Sequence, residues 1–307
     1  MTTASLRTPD ARFADLADYP FEPHYVELSN GLRVHYLDEG DASGETILLL
    51  HGEPTWSYLY RHVIPPLVAA GHRCVAPDLV GFGKSDKPTD RFAYTYQNHL
   101  DWLRETVIDT IDLHDLTLVC HDWGGLLGLR LLAEHPDRFR RLIATNTSLP
   151  TGDQDLGGSL SVWLQASQRS NPFAPSEVVD RGTVGELDSA ARIGYDAPFP
   201  DESYLQGARQ FPLLVPITPY DEAAEPNRLA WSALRRLTIP TLYVHAEHDW
   251  AVGDGRGMIR DTIPGAGEVV LGRAGHFVQE DKPAEFAAAV DTFIRSTSRV
   301  GADSSEP

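Results

Sequence analysis

Hydrophobic residues along the chain fall into short runs separated by longer stretches of helical spacing. The runs lie at 25–28 (YVEL), 33–38 (RVHYLD), 46–51 (TILLLH), 73–77 (RCVAP), 117–121 (TLVCH), 142–146 (LIATN), 241–245 (TLYVH) and 268–271 (EVVL). Helix-like stretches follow at 57–70, 95–112, 123–135 and 283–297. Strands that alternate with helices predict an α/β fold with a mostly parallel, eight-stranded sheet flanked by helices. Several runs are continuously apolar, the pattern of a sheet buried on both faces.

The alternation stops between 150 and 230. That stretch opens polar and Gly-rich (PTGDQDLGGS), passes through SLSVWLQASQR and becomes rich in proline and aromatics (YDAPFPDESY, FPLLVPITPY). It predicts a helical cap, 150–230, inserted between the sixth and seventh strands of a core formed by 1–149 and 231–307. An insertion at the carboxyl edge of a parallel sheet sits over the place where such sheets bind ligands. The last residues, 299–307 (RVGADSSEP), read as a disordered tail.

Composition narrows the partners. The 307 residues are 42% hydrophobic and 23% charged, ordinary for a globular chain with a sizeable core. A net charge of −18 argues against nucleic acid and anionic membranes as partners. The longest aliphatic stretch, ILLL at 47–50, is far too short to span a bilayer, and the first twenty residues lack a signal-like apolar core. A cytoplasmic protein is expected. Cys74 and Cys120 both sit in apolar strand-like runs and are expected to be buried, reduced thiols.

The chemistry concentrates around VCHDWGG at 119–125, a small-x-nucleophile-x-small turn between a strand and a helix. Asp122 stands where many hydrolases carry serine. Asp249, just past the strand TLYVHAEHD, and His276, in the loop GRAGHF, complete the order nucleophile, acid, histidine expected of the α/β-hydrolase fold. Glu247 and Asp254 compete with Asp249 for the acid's place. The turn HGEP after the third strand offers the Glu53 N–H as one oxyanion donor, and Trp123, after the nucleophile, offers the other. Other motifs carry less. GFGKS at 81–85 lacks the first glycine of a phosphate loop, since Asp78 stands there, and reads as a tight turn. His245-x-x-His248-Asp249 has no further ligand cluster near it, so no metal is expected. His35, His62, His72 and His99 are read as ordinary polar positions.

An aspartate nucleophile suits a saturated carbon bearing a leaving group. Serine would form an ether there, which an activated water does not cleave. A carboxylate forms an ester, which water cleaves with return of the aspartate. His276 then activates the water while Asp249 orients its ring. Two leaving groups fit. An epoxide needs an acid, supplied by cap tyrosines such as Tyr195, Tyr204 or Tyr220. A halide needs donors alone, and an indole N–H on an apolar ring suits it. Trp123 is adjacent to the nucleophile, and Trp163 (SVWLQ) lies in the first helix-like piece of the cap.

HGEPTWSYLYR, PDLVGFGKSDKP, HDWGG, YDAPFP and AGHFVQE together resemble the haloalkane dehalogenases of the α/β-hydrolase superfamily, from about Arg7 to the final helix. The resemblance implies Asp122 as nucleophile, Asp249 as acid, His276 as base and Trp123 as the first halide-stabilising residue. Some members place asparagine directly after the His-Gly pair as the second. Glu53 stands there here, so the chain is similar to the branch with a lid tryptophan, and Trp163 is its candidate. The implied reaction converts a small apolar haloalkane and water to alcohol, halide and a proton, without metal or organic cofactor. His121, before the nucleophile, is a residue often seen in epoxide hydrolases, but it does not contact the reacting carbon in either reading; the epoxide alternative rests on the same triad with the cap tyrosines, of which Tyr195 stands in the dehalogenase-like YDAPFP. A non-catalytic small-molecule receptor on the same fold is the third reading.

Overall fold

In a computed structural model the chain is described over residues 3–155, 157–251 and 257–298; the expected tail at 299–307 and Asp254 lie outside them. The eight sheet strands are β1 His24–Glu27, β2 Arg33–Glu39, β3 Thr46–Leu50, β4 Arg73–Pro77, β5 Leu116–His121, β6 Phe139–Thr145, β7 Thr241–Ala246 and β8 Gly267–Leu271. Their order in the sheet is β8-β7-β6-β5-β3-β4-β2-β1. Strands β3 to β8 run parallel, whereas β1 pairs antiparallel with β2, and β2 with β4. The central strands are buried along their length: every residue of β5 and β7 is buried, as is Ile47–Leu50 of β3. Burial on both faces is what their continuous apolar runs require.

Around the sheet lie α1 Ile64–Ala69, α2 Tyr96–Arg104 and α3 Trp123–Glu134, and the chain closes with α11 Pro283–Ser298. Two expected helices differ in form. The stretch 57–70 is a 3₁₀ turn, Ser57–Tyr60, followed by α1. Pro65 and Pro66 lack N–H donors, so they start a helix and cannot sit inside a longer one. The stretch 95–112 begins as α2, capped by the Thr95 side chain on the Asn98 N–H, and continues as a π-helical segment over Glu105–Thr110.

Between β6 and β7 the chain forms α4 Gly157–Arg169, α5 Pro175–Gly182, α6 Ser189–Asp196, α7 Gln206–Gln210 and α8 Ala224–Leu234. No strand occurs there among the described residues. A cut at 230 would divide α8, which is tied to the core: Arg130 of α3 donates to Asn227 (3.1 Å), and the Trp231 indole donates to the Leu149 carbonyl (2.7 Å). The short helices α9 Met258–Thr262 and α10 Val278–Asp281 flank β8. Among the described residues no helix is long and apolar enough to cross a membrane. Cys74 and Cys120 are buried free thiols, and burial pushes the Cys74 thiol up to about 12.

The GFGKS segment wraps a carboxylate. Asp78 accepts from the Ser57 and Lys84 N–H groups (both 2.8 Å) and faces His35 Nδ1 at 2.7 Å. Burial alone would raise its carboxyl; His35 and these donors hold it well below the usual range. A Cβ at Gly83 would overlap that carboxylate. Three of the four histidines expected at ordinary polar positions are buried instead; His72, 5% exposed, faces Asp291 at 2.8 Å. His35 is fully buried on Asp78, and His99 is buried 4.1 Å from the Phe211 ring, its pKa lowered by burial to about 3.

Candidate active site

Asp122 stands between the end of β5 and the first residue of α3 with φ 50° and ψ −123°. Such backbone costs on the order of 1–3 kcal/mol and persists only where its surroundings enforce it. Here the Asp122 carbonyl accepts from the Gly125 N–H (2.8 Å) and the Thr147 hydroxyl (2.7 Å). The turn aims the carboxylate at the third-strand turn, where a Cβ at Gly52 would overlap it. The Glu53 N–H donates to Asp122 Oδ1 at 2.8 Å. His51 shapes that donor: its Nε2 accepts from the Leu79 N–H, so Nδ1 carries the hydrogen and donates to the Gly52 carbonyl (both 2.9 Å).

His276 lies between two carboxylates. Its Nδ1 is 3.0 Å from Asp249 Oδ1 and its Nε2 is 3.5 Å from Asp122 Oδ2. Asp249, 3% exposed, also accepts from the Ala251 N–H at 2.9 Å. Burial lowers the imidazole, but the Asp249 charge and the hydrogen bonds to both carboxylates outweigh it and raise His276 to about 10. Burial conversely raises Asp122, yet His276 and the Trp123 N–H hold it below its ordinary value. Flanked by two carboxylates, His276 is favoured in its protonated form.

The Asp122 carboxylate opens into a cavity of about 80 Å³ lined by Glu53, Trp123, Leu160, Trp163, Val178 and His276, among others. Trp123 is held edge-on to Phe211 at 4.5 Å and tilted against Tyr96 at 5.5 Å. The indole N–H groups of Trp56 and Trp231 are spent on backbone carbonyls; those of Trp123 and Trp163 have no protein acceptor among the described residues. A larger apolar chamber of about 280 Å³ lies beyond, sharing Trp163, Val178 and Trp250 with the first. The geometry thus gathers the Asp122 carboxylate, the Glu53 N–H at its oxygen, the His276 imidazole and two indoles in one small, mostly apolar space.

Other candidates stand apart. Glu247 is at the surface, accepting from the Arg273 N–H at 3.1 Å. Tyr195 is fully buried with its hydroxyl donating to Glu280, Tyr220 is 94% exposed, and neither these nor Tyr204 line the cavity. His245 faces Glu268 at 3.5 Å while His248 is exposed, and the described residues contain no group of three or more His, Cys, Asp or Glu that could hold a metal ion.

A clamp with no sequence motif of its own holds the His276 loop. The His276 carbonyl accepts from Asn146 Nδ2 (2.6 Å) and from His121 Nε2 (2.8 Å), and Asn146 Oδ1 accepts from the Ala246 N–H at 3.0 Å. Burial lowers His121 to about 4, so it stays neutral. The side chain of His121 is absent from the cavity wall and fixes the histidine loop instead. Asn146 sits where the apolar run LIAT gives way to NTS at the strand's end, which is the one sequence signal it offers.

Known proteins resemble this chain along nearly its whole length. Residues 45–283 match a family model described as the alpha/beta hydrolase fold. The chain is 50% identical over 301 residues to a haloalkane dehalogenase of Psychrobacter cryohalolentis, covering 96% of this chain and 99% of that protein. It is 48% identical over 292 residues to one from Mycobacterium marinum, covering 93% and 98%. The solved tetrameric haloalkane dehalogenase DpaA from Paraglaciecola agarilytica superposes with a TM-score of 0.87 at 37% identity, covering 93% of this chain and 98% of that one. An aspartate on the nucleophile turn, matches along nearly the full length and a closely superposing solved structure place the chain in the haloalkane dehalogenase family of the α/β-hydrolase fold.

Proposed function

We propose that the protein hydrolyses the carbon–halogen bond of small haloalkanes through a covalent ester on Asp122. In the first step Asp122 Oδ2 displaces the halide, and the Trp123 and Trp163 indoles receive it. Alkylation removes the Asp122 charge that helps hold a proton on His276, so the ring releases that proton to solvent and in the second step takes one from water as it adds to Asp122 Cγ. The Glu53 and Trp123 N–H groups hold the resulting oxyanion, and its collapse expels the alcohol. Asp249 keeps the His276 ring in place and balances its charge. Residues 150–230 serve as the cap that closes the cavity, and Trp163 on α4 marks the branch with a lid tryptophan. The observation that carries this reading is the Asp122 carboxylate, between the Glu53 N–H and His276 Nε2, in a cavity shared with both indoles.

The test is product analysis with 1,2-dibromoethane and 1-bromobutane beside styrene oxide. Bromide with stoichiometric protons and no diol is the expected result; diol without bromide would move the assignment to epoxides. Hydrogen bonds to a charged partner contribute about 1.5–3 kcal/mol each, so Trp163→Phe is expected to cost roughly 10- to 150-fold in bromide affinity and carbon–bromine cleavage. Indole fluorescence quenching by bromide and rapid-quench kinetics read the two effects. Unchanged values would remove Trp163 from the halide site.

A further inference from the structure

Just after the catalytic histidine comes the short helix α10, Val278–Asp281, which ends in two acids that the two-step scheme does not use. Both reach the cap. Glu280 accepts from the Tyr195 hydroxyl of α6 and from Arg61 Nη2 of the core (2.9 Å). Asp281 spans a shorter gap. Its Oδ1 accepts from the Val184 and Gly185 N–H groups of the loop after α5 (3.0 and 3.1 Å). Its Oδ2 accepts from the Gly275 N–H at 2.8 Å, one residue before His276. A single carboxylate thus ties a cap loop to the loop of the base.

Backbone packing makes that joint tight. Gly182, the last residue of α5, lies against the histidine: a Cβ there would overlap the Phe277 ring and stand 3.6 Å from His276 Cβ. A Cβ at Gly275 would overlap the Gly182 carbonyl, which also accepts from the Phe277 N–H at 3.4 Å. One turn back along α5, Val178 lines the reaction cavity. The helix that walls the cavity therefore ends on the base. Asn146, His121 and the His248 N–H hold carbonyls of the histidine loop. Asp281 supplies what they do not, an acceptor for the Gly275 N–H, and a charged acceptor binds such groups more strongly than a neutral one.

We propose that Asp281 is a positioning residue for the second chemical step: by fastening the Gly275 N–H to a seated cap, it keeps His276 Nε2 in line with the water that attacks Asp122 Cγ. This rests on the ester mechanism proposed above. Alkylation uses Asp122 and the indoles, to which Asp281 makes no bond. Hydrolysis uses the imidazole, and a misplacement of about 1 Å can cost about 100-fold. The cap then does more than enclose substrate. Its helix α5 walls the cavity with Val178 and, held by Asp281, sets the base with Gly182.

Rapid-quench kinetics with 1,2-dibromoethane separate the steps, with bromide reporting alkylation and intact mass reporting the alkyl-enzyme. In Asp281→Ala, alkylation should stay within about twofold of wild type while hydrolysis slows roughly 10- to 100-fold, so that the alkyl-enzyme accumulates. In the substrate-free variant the imidazole, loosened from Asp249 and Asp122, should titrate below about 10 by NMR. Lost stability alone moves neither the ratio of the steps nor that titration. Asp281→Asn, whose amide oxygen still accepts one N–H, is the milder variant where alanine impairs folding, and should show the same imbalance at smaller size. Equal slowing of both steps, unchanged hydrolysis, or an unchanged His276 titration would each overturn the assignment. The ester mechanism is judged separately: if His276→Phe never carries an alkyl group, that reading fails, while the substrate-free titration still tests Asp281.

Discussion

In His276→Phe, 1,2-dibromoethane is expected to release about one bromide per enzyme and then nearly stop. The first step uses Asp122 and the indoles, which the substitution leaves in place. The second loses its base, and general-base contributions of about 10²- to 10⁴-fold set the scale of the slowing. Intact mass should show the protein heavier by one alkyl group, located at Asp122 by peptide mapping. Phenylalanine suits the space, because the ring packs between His121 (4.8 Å) and Phe277 (4.9 Å). Absence of any adduct in folded protein would count against the covalent route.

The same variant has a stability signature. Asp249 is held below its ordinary 3.8, against burial, by His276, so it contributes stability above that value and loses it in acid. His276 is raised from 6.5 to about 10, so its contribution is complete below 6.5 and lost as pH climbs through about 10. Both are present between 3.8 and 6.5, where the stability gap between wild type and His276→Phe should be widest. Leaving Asp249 buried without the His276 imidazole costs about 3–5 kcal/mol at the maximum. Denaturant titrations across pH read the gap; one that widened toward alkaline pH would contradict the ion pair of His276 with Asp249.

Much of the fold is legible in the sequence because the signals are local. A parallel strand buried on both faces must be apolar throughout, and β3, β5 and β7 announce themselves that way. The nucleophile turn is equally local, since Asp122, Trp123 and the following glycines are contiguous. What stays hidden depends on neighbours distant in sequence. Pro65 and Pro66 mark a helix start, but only packing shows that Ser57–Tyr60 turns separately before it. Asn146 meets His276 from 130 residues away, and Tyr195 is withdrawn from the cavity by Glu280, 85 residues on. Sequence position marks Glu53 for its backbone, and nothing in it marks Asp281. The part of Asp281 shows only once the Gly275 and Val184 N–H groups are seen to share its carboxylate.

Asp122→Asn should abolish turnover while leaving the fold intact. The amide lacks the charge that displaces a halide, and loss of the nucleophile from a hydrolase triad costs roughly 10⁶-fold. Asparagine tolerates the φ of 50° at this turn, and its amide oxygen still accepts from the Glu53 N–H. His276 would face one carboxylate instead of two, so its pKa should fall from about 10, a shift that imidazole NMR titration would detect. The variant also carries its own control. Water activated by His276 next to the introduced side-chain amide is poised to hydrolyse it, restoring aspartate over long incubation. Activity that returns in step with that conversion, followed by intact mass, would tie turnover to the carboxylate and show the water-activating half of the site working on Cγ. Full activity in fresh, unconverted protein would mean that the nucleophile lies elsewhere.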